Sequence, residues 1–141
     1  MNSKSWLMVA GGAGAIGVML GAFGAHGLPG YLEGLSLTEE DLTKRLDNFE
    51  IAVRYHIYHA LALFGVALSA RFIRNVWVSI AGWSFLIGTL LFSGLLYAHS
   101  LSGVKIFGMI VPLGGTLLIV GWIAVVLAAI RDPGRETEGG E

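Results

Sequence analysis

Four long apolar runs, separated by short polar stretches, set the plan of this chain. A helix needs about 20 mainly apolar residues to cross a hydrocarbon core of roughly 30 Å. Runs of that length cover residues 6–25, 51–70, 76–98 and 106–130. Each is predicted to be helical, because lipid offers no partner to exposed backbone N–H and C=O groups. A membrane barrel would show short segments alternating apolar and polar residues, and these runs do not alternate. The expected fold is an all-α integral membrane protein: one domain with four transmembrane helices in a bundle. The first run is not read as a signal peptide. It exceeds the usual apolar core of about 7–15 residues and lacks a small-x-small cleavage pattern.

The polar remainder is small. Residues 27–49 form one long loop, punctuated early by Pro29, Gly30 and Gly34. Ser36 and Glu39 then make a capping-box pattern. Leu42, Leu46, Phe49 and Val53 follow at helical spacing. This predicts a short amphipathic helix before the second span, lying at the interface or running straight into it. The tail, residues 131–141, is polar and expected to be flexible.

Composition agrees with the pattern. Of 141 residues, 55% are hydrophobic and only 13% charged, against about 25% charged in soluble domains. Mean hydropathy is +0.71. A net charge of −1 gives no broad attraction to nucleic acid. With no cysteine, disulfides, thiolate metal sites and cysteine nucleophiles are excluded. Lys4, Arg71, Arg74, Arg131 and Arg135 fall on one side of the membrane. Lys44, Arg45, Lys105 and the borderline Arg54 fall on the other. Five against four predicts both termini in the cytoplasm of a bacterial inner membrane.

The 21 glycines lie mostly inside the apolar runs. Lipid tails are as apolar as leucine, so helices in lipid associate through close backbone contact, which small residues permit. In the first span Ala10, Gly14, Gly17, Gly21 and Gly24 fall within an arc of roughly 80°. Gly82, Ser93 and Gly94 in the third span, and Gly114, Gly115 and Gly121 in the fourth, are further packing candidates. Such faces serve packing within one bundle or contact with a second copy or a larger complex. Pro112, inside the fourth span, removes a backbone donor and clashes near Gly108, so a kink is expected there.

Polar side chains collect at one end of the bundle. His26, His56, His59 and His99 all lie toward the same membrane side, as do Tyr31, Tyr55, Tyr58 and Tyr97. Glu50 and Arg54, four apart, are neighbours on one helix face. Arg54 can snorkel outward. His59 lies about 12 Å beyond Ile51 by helical rise, a depth at which an ionisable group faces the bundle or a wet cavity. Three readings stand: an interfacial polar cap with neutral imidazoles; a metal site using His56, His59 and His26, His99 or Glu50; or a pocket for a quinone, haem or lipid headgroup. No cofactor or metal is assigned. Phosphate-binding loops, nucleophile elbows and ordered acid pairs are absent, so no enzymatic activity is expected. The spans show no inverted repeat of the transporter kind.

Four motifs carry a family resemblance: GAFGAHGL at 21–28, YHIYHALAL at 55–63, LFSGLLY at 91–97 and PLGGTLLIVGW at 112–122. With one motif per span, in order, the chain resembles the small bacterial inner-membrane proteins of the YgdD/YwdK type. That family is a domain of unknown function with eukaryotic transmembrane relatives. The resemblance implies an integral membrane protein. Its matching positions include Gly21, Gly24, His26, Tyr55, His59, Ser93, Gly94, Tyr97, Pro112, Gly114, Gly115, Gly121 and Trp122. His56 departs from the pattern, where the family often carries glutamine, a poor metal ligand. His99 matches no motif. A hydrogen-bonded His26–His59–Tyr97 cluster is therefore expected to tie three helices together. The function expected first is a structural or accessory one, through glycine-rich packing with itself or a larger membrane complex. A small-ligand binder and an oligomeric channel are the alternatives.

Overall fold

The computed structural model describes residues 1–132. Most of the expected flexible tail, from residue 133 on, lies outside the described residues. The architecture is all-helical, with four helices long and apolar enough to cross a membrane.

Helix α1 runs Ser3–His26, opened by the Asn2 side chain, which accepts from the Ser5 amide at 2.9 Å. A one-and-a-half-turn helix, α2 (Leu28–Glu33), follows with Pro29 in its first turn. It was not expected within the polar loop. Its Leu28 and Leu32 are fully buried, anchoring the loop on the bundle. The chain reverses through Ser36, whose φ of 51° is left-handed. The helix cap falls two residues after the expected one: Thr38 accepts from the Asp41 amide at 3.2 Å. Glu39, Glu40 and Asp41 then complement the positive helix end.

From there α3 (Glu39–Phe72) continues unbroken for 34 residues, about 51 Å. The amphipathic segment is thus the first turns of the second span, not a separate helix. The third span is Val76–Ser102, about one turn longer than expected. It comprises α4 (Val76–Thr89), a π-helical turn (Leu90–Gly94) and α5 (Leu95–Ser102). The left-handed Gly103, with φ of 71°, turns the chain into α6 (Lys105–Ile130), which passes Pro112 without a break.

Helix α1 packs along α3 and α6 along α4, while α3 also meets α4 and α5. Two apolar clusters result. The one at the terminal end gathers Trp6, Leu63, Val66, Phe85, Leu118 and Ala124. The other gathers Leu28, Leu32, Phe49, Ala52, Leu96, Tyr97 and Val111 at the end bearing the polar cluster. Two apolar grooves open sideways. One, about 440 Å³, lies between α1 and the third span. The other, about 400 Å³, lies between α3 and α6.

Trp6, near the start of α1, is fully buried. Its ring lies where a Cβ on Gly82 would stand, and it meets Trp83 edge-on at 5.7 Å. The glycine makes room for an indole at the crossing of α1 and α4.

Candidate functional site

The inward face of α3 is Phe49, Ala52, His56, His59, Ala60, Leu63, Val66 and Ala67. This three-and-four spacing brings both central histidines into the bundle. They do different things.

His56 reaches across to the third span. Its Nδ1 stands 3.3 Å from the Tyr97 hydroxyl, and the tautomer decides which of the two donates. The backbone of Ala13 on α1 faces the same imidazole. Tyr97 in turn packs on Phe49 at 4.9 Å. One imidazole therefore spans α1, α3 and α5.

His59 turns to its own helix. Its Nδ1–H donates to the Tyr55 carbonyl at 2.7 Å. A carbonyl only accepts, so Nδ1 carries the proton and Nε2 is an acceptor. That Nε2 is buried without a partner among the described residues. The imidazole ring has Phe85, Trp122 and the stacked Tyr55 beside it, at centroid distances of 5.5, 6.3 and 6.1 Å.

The expected His26–His59–Tyr97 cluster is therefore not what forms. His26 is exposed at the end of α1. Tyr97 pairs with His56 instead. His99 donates from Nδ1 to the Val104 carbonyl at 3.0 Å and braces the α5–α6 turn. Glu50 and Arg54 form an exposed ion pair on the outer face of α3, worth roughly 0–1 kcal/mol. Tyr55 is also turned outward, against Phe92 at 4.7 Å. Among the described residues no three His, Asp or Glu side chains converge as metal ligands.

The glycines divide just as clearly. Gly17 faces Ile57, Gly21 faces Val53 and Gly24 faces Phe49, so this part of the stripe is the α1–α3 seam. Gly121 faces Phe85, and Gly115 lies over the Phe92 ring. Gly114 sits against the backbone of Leu91 and Phe92 in the π turn. Gly14 and Gly94, expected to pack, have open space beside them.

Buried hydroxyls and a π turn also appear. The hydroxyls of Thr89, Ser93 and Ser100 are buried without a partner among the described residues. Nothing in LLFSG marks a π turn. Pro112 is exposed, and its carbonyl accepts from the Thr116 hydroxyl at 3.0 Å.

This arrangement can now be set beside known proteins. Residues 20–115, from the second half of α1 into α6, match the family described as Protein of unknown function (DUF423). The chain belongs to this family. Among its relatives, the UPF0382 membrane protein YwdK of Bacillus subtilis is 43% identical over 117 residues, covering 82% of this chain and 88% of YwdK. A UPF0382 membrane protein of Haemophilus influenzae is 38% identical, covering 82% and 85%. The UPF0382 inner membrane protein YgdD of Escherichia coli is 30% identical over 131 residues, covering 93% of each chain. No solved structure matches the chain. This DUF423 member is thus a small polytopic membrane protein, with four apolar helices in a lipid bilayer.

Proposed function

We propose that the protein is a structural or accessory component of a bacterial cytoplasmic membrane, without enzymatic activity of its own. It works by presenting α1 to a further helix, of a second copy or of a larger complex. Both termini face the cytoplasm in this reading.

The carrying observation is the outer face of α1. Its inner glycines are used against α3, and it is the least buried of the four spans. Yet Gly11, Ala15, Ala22 and Ala25 are exposed within an arc of about 80° beside that seam. Small residues facing lipid forgo the contacts that larger side chains would make, while a second helix can approach them closely. Leu7 and Val18 are exposed within the same arc, so this strip alternates small and larger residues, while Met8, Ile16, Met19 and Phe23 occupy a different face.

Cysteine crosslinking tests this cleanly because the chain has no native cysteine. With a photoreactive group attached to the thiol, Ala15→Cys and Ala22→Cys should each form an adduct in native membranes, either a dimer or a conjugate with a larger protein. Leu61→Cys, on an exposed face of α3, should not. Equal crosslinking at all three positions, or none at the α1 positions, would sink the reading.

A further inference from the structure

A second polar region lies apart from the histidine pair, where the start of α3 meets the α5–α6 turn. We propose that this cavity binds an anionic phosphate group, carried by an acidic phospholipid headgroup or free in solution. The inference uses none of the residues behind the accessory reading and stands independently of it.

The cavity measures about 270 Å³. Lys44 and Arg45 enter it from α3 and Lys105 from α6; Asp41 is the one carboxylate in its wall. Three cations against one acid leave a net positive site. Among the described residues only Glu50 and Arg54 form an ion pair, so none of these three cations is neutralised by a carboxylate within 4.0 Å. Uncompensated cations gathered around one concavity favour an anion over water.

The turn is shaped for this. The Arg45 guanidinium lies directly over Gly103, in the space a Cβ there would take. Gly103 is also left-handed, which any other residue adopts at a cost. The glycine thus both makes the turn and seats the guanidinium against its backbone. His99 fixes the turn from below by donating to the Val104 carbonyl.

Helix α6 adds to the field. It is 26 residues long, no side chain caps its first turn, and that turn holds no acid. Its open amides and positive dipole end border the same cavity. The level is also right for a headgroup, since Met109, in the cavity wall, and the neighbouring Ile106 are exposed along α6 below the cations. An acyl chain can run down that face while its phosphate meets the three cations.

The test is native mass spectrometry of the full chain from nanodiscs holding equal amounts of dioleoyl phosphatidylglycerol and dioleoyl phosphatidylcholine. The expected result is selective retention of phosphatidylglycerol, falling about fivefold for each cation removed in Lys44→Gln, Arg45→Gln and Lys105→Gln. Charge-preserving Lys44→Arg, Arg45→Lys and Lys105→Arg should keep it. Displacement by millimolar inorganic phosphate, beyond that caused by sodium chloride of equal ionic strength, assigns the site to soluble phosphate. Failure to displace assigns it to the lipid. Retention of both lipids alike in the wild type overturns the proposal, whether or not the glutamine variants fold. So does selectivity that survives in a triple glutamine variant with an unchanged melting temperature.

Discussion

His56 is the side chain whose removal should be felt most widely, because one imidazole faces α1 and hydrogen-bonds α5 from α3. Interhelical hydrogen bonds in membranes contribute on average about 0.6 kcal/mol, with a maximum near 1.7. Tyr97→Phe should therefore lower stability by about that range, and His56→Leu by at least as much. His59→Leu should cost less than His56→Leu. Its imidazole bonds only the Tyr55 carbonyl of its own helix, and its buried Nε2 has no partner to lose. Melting temperatures of the three variants in one detergent check the order, and a larger loss at His59 than at His56 would reverse the assignment. Sequence turned His59 toward the bundle and paired it with Tyr97, and gave His56 no partner. The two histidines lie only about 60° apart around the helix, and which one meets Tyr97 depends on how α3 is rolled against the third span. Depth favoured His59, and so did the family motif. Roll decided for His56, and roll is a property of the packed bundle.

Helices here meet through glycine, and the cost of a methyl group depends on what it would strike. At Gly17 the nearest atom is the terminal Cδ1 of Ile57, which can swing aside. At Gly114 the nearest atoms are backbone, the Phe92 nitrogen and the Leu91 carbonyl carbon, held in the π turn. Gly114→Ala should thus destabilise by about 1–3 kcal/mol, the usual range for overpacking. Gly14→Ala, with open space beside it, should stay within about 0.5 kcal/mol of wild type. Reversible unfolding in mixed micelles would show both, and equal effects would mean that the α6–π-turn approach is not as close as described. The spans themselves were legible because long apolar runs allow few other structures in lipid. The partners of each glycine were not, since 21 glycines mark possible contacts without pairing them. The π turn left no trace at all. It is an extra residue's worth of winding inside an uninterrupted apolar run, placed where Gly114 brings α6 against the backbone. The loop helix α2 was hidden for a different reason. Pro29 and Gly30 read as turn residues, and only the burial of Leu28 and Leu32 against the bundle holds them in a helix.

At the scale of the whole molecule, four spans bring Ser3 and Ile130 to one side of the bilayer and the loop around Ser36 to the other. In the proposed orientation the loop cations set which side is which, and the balance is narrow. Lys4, Arg71, Arg74, Arg131 and Arg135 stand against Lys44, Arg45, Arg54 and Lys105. Carboxylates count little in this rule, so the Glu50 partner of Arg54 does not discount it. Ser36 is exposed, and the absence of native cysteine makes Ser36→Cys a unique label site. In intact cells it should react with a membrane-impermeant maleimide, because termini in the cytoplasm put this loop outside. A margin of one charge also predicts fragility. Arg71→Gln with Arg74→Gln removes two cations, one from the last turn of α3 and one from the short connection to α4, and leaves three against four. The double variant should then populate the inverted topology, with Ser36→Cys labelled in part only after permeabilisation. Full external labelling in both backgrounds would show that orientation is held by something other than the loop charges. Labelling of the wild-type loop only after permeabilisation would place the termini outside. The cations of the proposed phosphate cavity would then face the cytoplasmic leaflet, where acidic headgroups attract such clusters most strongly.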